Sequence, residues 1–479
     1  MQLLLTCNND ILLNLGVTNM KKILPVAVLA ALAGVNGAQA VHVNPDGLGQ
    51  VLLYPFYTTE ADQDTYINLV NTTDEYKAVK IRILESMNSV EVLDFNIYMS
   101  PFDHWSAVIT EHADGGASLQ TADKTCTVPI AVSQGIEIPF RSTEYQADSE
   151  DGIDRTREGY VEVIEMGTIQ DTDGLWSAIE HVDGVPGDCA ELTARWNTGG
   201  AWDLDSSDGM TSVSGGLYGY GVLIDVPRGT DATYDAVALD DFADFSVNHT
   251  DPGSLLPSLE SSTTDYDLFD QGGVVSGSAI TDGVDAVSAI LMSSSISNDY
   301  VLEPSIGGGT DWVVTFPTKR AYVNESVTAI PPFTDIWDAE TSTACETFEI
   351  RYWDREEGEP TTPVSPLDFS PLPPPGEIPT FSFCHEANVL TYNDSNVLSA
   401  SDRTGVNLNL EEGFDNGWAR IDFTGTGRVL TTQDHQFLGL PQIGFAVQRY
   451  INAEVEGAQT LANYAGTVTH KADRSIVFP

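Results

Sequence analysis

The stretch AVKIRILESMNSVEVLDFNIYM, Ala78 to Met99, decides the fold class. Its first part alternates, with apolar Val79, Ile81 and Ile83 separated by charged Lys80 and Arg82. A period of two puts the three β-branched residues on one side of an extended chain, the pattern of a strand with one face on a core. SMNS is polar and turn-forming, and VEVLDFNIYM resumes a run of β-branched and aromatic residues. The stretch therefore reads as two strands joined by a turn.

Similar runs lie on either side. YINLV (Tyr66 to Val70) precedes it and HWSAVIT (His104 to Thr110) follows, set off by the turn sequences NTTDEY and SPFD. GYVEVIEM, YGYGVLIDV, DWVVTF, FEIRYW, WARIDF and GFAVQRYI extend the pattern towards the C-terminus. Short strands with polar turns between them predict a mainly β protein built of antiparallel β-sandwich units, Ig-like or jelly-roll-like. Long loops and few short helices complete that expectation, with helix candidates at DAVALDDFADF (from Asp235) and TDGVDAVSAILM (to Met292). No fixed-period repeat is present, which argues against a propeller or solenoid.

Residues 1–40 read as a signal peptide whose start is Met20: Lys21 and Lys22, an apolar run from Ile23 to Ala33, then small residues at Ala38 and Ala40. The run is too short to span a bilayer, which takes roughly 20 apolar residues. Export follows, to the cell surface or the medium, with the periplasm as the alternative. Beyond it, residues 41–147 read as an N-terminal β-sandwich unit and 148–479 as a larger β-rich region. Within the latter, the proline-rich 354–379 reads as a surface loop, because TFEIRYW before it and TFSF after it have strand character.

The chain carries 71 acidic against 21 basic residues, a net charge of -50. Such a surface repels phosphate backbones and anionic lipid heads, which argues against a nucleic-acid partner. Four cysteines follow the signal segment, Cys126, Cys189, Cys345 and Cys384, with no C-x-x-C pair and no histidines at zinc spacing. In an oxidising compartment they are expected as disulfides. Three pairings are open to four cysteines, and the neighbour pairing, 126 with 189 and 345 with 384, is the expectation. It would close the proline-rich loop at its base.

Motifs for chemistry are scarce. There is no G-x-S-x-G nucleophile elbow, and His385-Glu386 begins a zinc-protease H-E-x-x-H only to meet Asn388 and Val389. DSEDGID (Asp148 to Asp154), DTDG (Asp171 to Gly174) and DLDSSDG (Asp203 to Gly209) gather carboxylates on turns. The last comes nearest to a calcium loop, with Asp203, Asp205 and Asp208 as ligands and one residue too many. Calcium is accordingly the one cofactor to weigh. Tryptophans in strands, as in DWVVTF and FEIRYW, are expected in the core. Trp196 and Trp202, in RWNTGGAWDLD, are the pair expected to lie open and able to stack on a glycan.

GLGQVLLYPFYT, YINLVNTTDEYKAVKIRILE, VLDFNIYMSPFDHW, GYVEVIEMG, DWVVTFPTKRAYV and the span from YWDREE to CHEANVL together resemble a family of exported β-rich proteins of Gram-negative bacteria. The resemblance covers most of the chain after the signal segment. It implies secretion and a bacterial origin, and it supplies no function or catalytic residue to carry over. The expectation is a non-enzymatic, disulfide-stapled protein with a structural or adhesive role, contacting a surface or matrix component and holding no transmembrane anchor after the signal segment. The alternative is a secreted carbohydrate-binding module or carbohydrate-active enzyme.

Overall fold

The Lys77–Glu85 strand pairs antiparallel with Glu91–Met99, and in register Ile81 stands opposite Phe95 and Ile83 opposite Leu93. A computed structural model describes residues 39–243, 247–270, 272–324, 328–361, 380–454 and 461–478 of the chain. The signal segment expected at 1–40 falls outside them save for its last two residues, as does most of the proline-rich loop. Among the described residues, 46% lie in strands and 12% in helices.

Four sheets carry the architecture. An eight-stranded sheet holds Val51–Thr58, Glu158–Ile169, Lys77–Glu85 and Glu91–Met99 side by side. A six-stranded sheet built on Gln63–Asn71, His104–Glu111 and Leu217–Asp225 packs against it. Leu52, Tyr54, Ile81, Phe95, Ile67, Trp105 and Leu223 meet between the two in one apolar cluster. The second sandwich pairs a five-stranded sheet around Glu346–Asp354, Asn416–Asp422 and Ser295–Val301 with another around Ala387–Tyr392, Gly308–Thr315 and Ile443–Glu454.

These sandwiches are not separate domains. Residues 39–478 form one compact unit, and the Gly308–Thr315 strand has two buried faces. Trp312 and Val314 enter the second core while Val313 enters the first. Nor does the first sandwich end at residue 147, where the sequence placed it. Glu158–Ile169 lies between Val51–Thr58 and Lys77–Glu85, and Val237–Asp240 pairs with Val51–Thr58. A boundary of this kind depends on pairing over a hundred residues of separation, and acidic turns such as Asp148 to Asp154 give no sign of it.

Of the two expected helices, Gly283–Leu291 forms, capped by Asp282, whose carboxylate accepts the Val284 N–H at 3.1 Å. It is apolar nearly all round, as an interior helix must be. The other does not. Thr230–Asp235 and Val237–Asp240 are strands, because the alternately placed Ala236 and Ala238 are drawn into the first core while the backbone pairs with neighbouring strands.

Both disulfides join sequence neighbours, Cys126–Cys189 and Cys345–Cys384. The second sits at the base of an antiparallel pair, with Glu346 opposite Phe383 and Glu349 opposite Thr380. The proline-rich stretch expected as a surface loop between these two strands lies, from 362 to 379, outside the described residues.

Candidate functional site

Sequence alternation left Lys80 and Arg82 on a water-facing side, yet both are buried. The 250–252 segment crosses over that face, and Lys80 Nζ donates to Asp251 O at 3.3 Å and Pro252 O at 2.7 Å while pairing with Asp94. Arg82 donates to Glu91 at 2.8 Å and to Glu162. Every charge has a counter-charge, as burial demands.

A second buried polar group joins the two sandwiches. Glu85 accepts Nε and Nη2 of Arg155 at 2.8 and 2.9 Å, together with the backbone N–H groups of Met87, Asn88 and Val90. Burial alone would raise its pKa, but these donors hold it below the usual carboxylate range. Nearby, Lys319 Nζ donates to Ala344 O at 2.7 Å and His385 O at 3.2 Å. Burial pushes the Glu386 carboxyl up to about 8, against the pull of Lys319, and neither of its oxygens has a hydrogen-bond partner among the described residues. Burial, with Lys319 adding to it, takes His385 down to about 4. Strongly shifted groups of this kind often mark catalysis. Here Glu85, Lys319 and Glu386 all have 0% exposure, and Glu85 and Lys319 direct their polar atoms to Arg155 and to the Ala344 and His385 carbonyls within the junction.

The acidic loops are engaged piecemeal. Asp203 accepts the Gly199 N–H at 2.7 Å, Asp205 accepts both the N–H and the hydroxyl of Ser207, and Asp208 faces Arg195 at 3.5 Å. Asp148 and Asp154 pair with Arg155 and Arg403, each at 2.8 Å. Among the described residues, no group of three or more His, Cys, Asp or Glu side chains is placed to hold a metal ion.

The two tryptophans assigned to an open loop lie elsewhere. Trp196 ends the Cys189–Trp196 helix and Trp202 sits in Ala201–Leu204, two short helices packed on the first sandwich. Trp202 is 1% exposed, stacks on Tyr98 with ring centroids 5.2 Å apart, and donates its indole N–H to Asp208 O at 2.9 Å. Trp196 is half-buried and donates to the Tyr98 hydroxyl at 2.9 Å. The Cys126–Cys189 bond fastens the start of this helix to the first sheet, which makes the pair part of a core.

Trp176, on the Leu175–Ile179 helix, is 40% exposed and stacks on Tyr76, and a second pair reaches the surface from strands. Trp353 and Trp418 are opposite in register on Glu346–Asp354 and Asn416–Asp422, with centroids 4.1 Å apart and planes within 14°. Ile350, Tyr352, Ala419 and Ile421 point into the core, so alternation turns both tryptophans outward. Trp418 is 42% exposed, and Trp353 donates its indole N–H to Glu359 at 2.9 Å. The close approach depends on Gly417, where a Cβ would collide with the Trp353 carbonyl. Asp299 stands beside Trp418 on the next strand, and Asp354, Glu356, Glu357 and Asp415 surround that end of the sheet. FEIRYW and WARIDF already placed both rings at alternate positions from buried residues. What the sequence lacked was which alternate set faces water.

No family model, curated protein or solved structure matches the chain.

Proposed function

We propose that this is an exported, non-enzymatic protein of the cell surface or extracellular space, of the Gram-negative family it resembles, with an adhesive or structural role. In this reading it contacts a surface or matrix component through the Trp353–Trp418 face. The observation that carries the reading is that stacked pair, in which the exposed Trp418 ring is backed by the half-buried Trp353, because an exposed tryptophan amid polar surroundings is a typical anchor of a binding surface. Asp299 beside the Trp418 ring favours a cationic group on the partner, held over the indole. Two disulfides suit an oxidising compartment, and no described helix is long and apolar enough to cross a membrane.

The test is fractionation of producing cells into periplasm, outer surface and medium, followed by retention of the purified protein on washed cells. Surface or medium localisation, with retention lost in Trp353→Ala and Trp418→Ala, is the expected result. Confinement to the periplasm, or retention indifferent to both substitutions, would overturn the proposal.

A further inference from the structure

The six-stranded sheet of the first sandwich has an open face on which strand alternation has left an uncharged band. Ile67, Ala107, Ile109 and Leu119 point inward to the core. Tyr66, Val108 and Gln120 point outward and stand in one row across three adjacent strands. The neighbouring row holds Tyr220, Asn68 and Ser106 and ends at the exposed Asp235 opposite Tyr220. Asp64 and Asp235 bound the band, and the six positions between them carry no charge.

Against this band lies a cavity of about 460 Å³, lined by Tyr66, Ser106, Val108, Gln120, Thr121 and Asp123 among others. Its size is within the range of small-ligand sites. Tyr66 is 41% exposed, so its ring forms an open wall of the cavity. Gln120 donates one amide N–H to Gly135 O at 3.2 Å, which steadies the side chain and leaves its carbonyl oxygen and second N–H for a ligand. Asp123 is turned back on its own loop, accepting the Thr125 N–H and hydroxyl at 2.9 Å each.

We infer that this groove binds a neutral polysaccharide chain, with Tyr66 stacking on a sugar ring and Gln120 and Ser106 hydrogen-bonding its hydroxyls. A pyranose has an apolar C–H face and a hydroxyl rim, and therefore needs an aromatic ring next to uncharged donors and acceptors. Strands lie about 4.8 Å apart, so Tyr66 and Gln120 stand about 10 Å apart, the length of a disaccharide. An acidic polymer would need cations, and the lining has none while containing Asp123. A protein partner would bury an apolar anchor in a dry pocket, whereas here polar and apolar groups alternate along the wall. This site is independent of the Trp353–Trp418 face, which lies on the second sandwich.

The experiment is a glycan array of neutral glucan, galactan, mannan and xylan oligosaccharides with uronate oligomers as the acidic comparison, followed by calorimetric titration of each hit. The expected result is binding to a neutral oligosaccharide that is unchanged in about 0.5 M NaCl and weakened at least about tenfold by Tyr66→Ala and by Gln120→Ala. Trp418→Ala should leave it unchanged, which separates this site from the adhesive face. Both substitutions are at exposed positions, and an unaltered melting temperature will certify the fold. Absence of binding to any neutral glycan, binding confined to uronates, or affinity indifferent to both substitutions would each overturn the inference.

Discussion

Trp353 and Trp418 stack in register across two strands at the surface, 4.1 Å between centroids, and they differ from Trp202 in what surrounds them. Cross-strand aromatic pairs contribute up to about 1 kcal/mol, so Trp353→Ala and Trp418→Ala are each expected to lower stability by about that much or less. Trp202 is enclosed against Tyr98 and His249, and truncating a buried tryptophan costs about 3–5 kcal/mol. Urea unfolding of the three variants distinguishes them. Equal losses at 202 and 418 would mean that the surface pair is a core element.

Arg155 is the next case, because its guanidinium answers Glu85 with two hydrogen bonds and Asp148 with a third. Removing one member of a buried pair leaves the other uncompensated, at a cost of about 3–5 kcal/mol. Arg155→Ala should show that loss in urea midpoint, and Glu85→Gln combined with Arg155→Met should be less damaging than Arg155→Ala alone. A double variant worse than the single would show that the pair is not the unit that matters.

How far these residues could be read beforehand depends on the range of the interactions that place them. The strands were legible because alternation is local: Val79, Ile81 and Ile83 announce their face within five residues. The disposition of Lys80 and Arg82 was not, since the cover over them comes from residues 250–252. The same limit explains the tryptophans. An indole in a glycine-rich loop looks exposed until the Cys126–Cys189 bond and Tyr98 bring the loop onto a sheet. One in a strand looks buried until the opposite face is seen to be taken. Ala236 and Ala238 read as helix formers because propensity is weak against the pairing of Val237–Asp240 with a central strand.

The Cys345–Cys384 bond closes a loop of 39 residues' separation, for which chain entropy gives about 4 kcal/mol of stabilisation. Cys345→Ser with Cys384→Ser should therefore lower stability by about that amount and speed amide exchange in Thr380–Phe383, the strand that it anchors. Thermal melts and hydrogen exchange check both. Exchange in that strand unchanged by the double substitution would show that pairing with Glu346–Asp354 suffices without the bond.

Glu386 makes stability depend on pH in a direction opposite to that of an ordinary paired carboxylate. Its folded pKa is raised from 4.5 to about 8 by burial, so below about 4.5 it is protonated in both states and the site is neutral. Between there and about 8 the unfolded chain releases the proton while the folded one keeps it, and folding loses up to about 1.4 kcal/mol per pH unit from this group. The stability is thus fully present in acid and lost as the pH rises through 8. Glu386→Gln is neutral at every pH and escapes the loss. Its melting temperature should match that of the unaltered protein near pH 4.5 and exceed it progressively towards pH 8. Lys319, whose own pKa burial lowers, faces Glu386 and softens the effect without reversing it. Melts of the two proteins across that range decide the matter: a constant difference would place the Glu386 proton at an ordinary carboxylate pKa and the junction open to water.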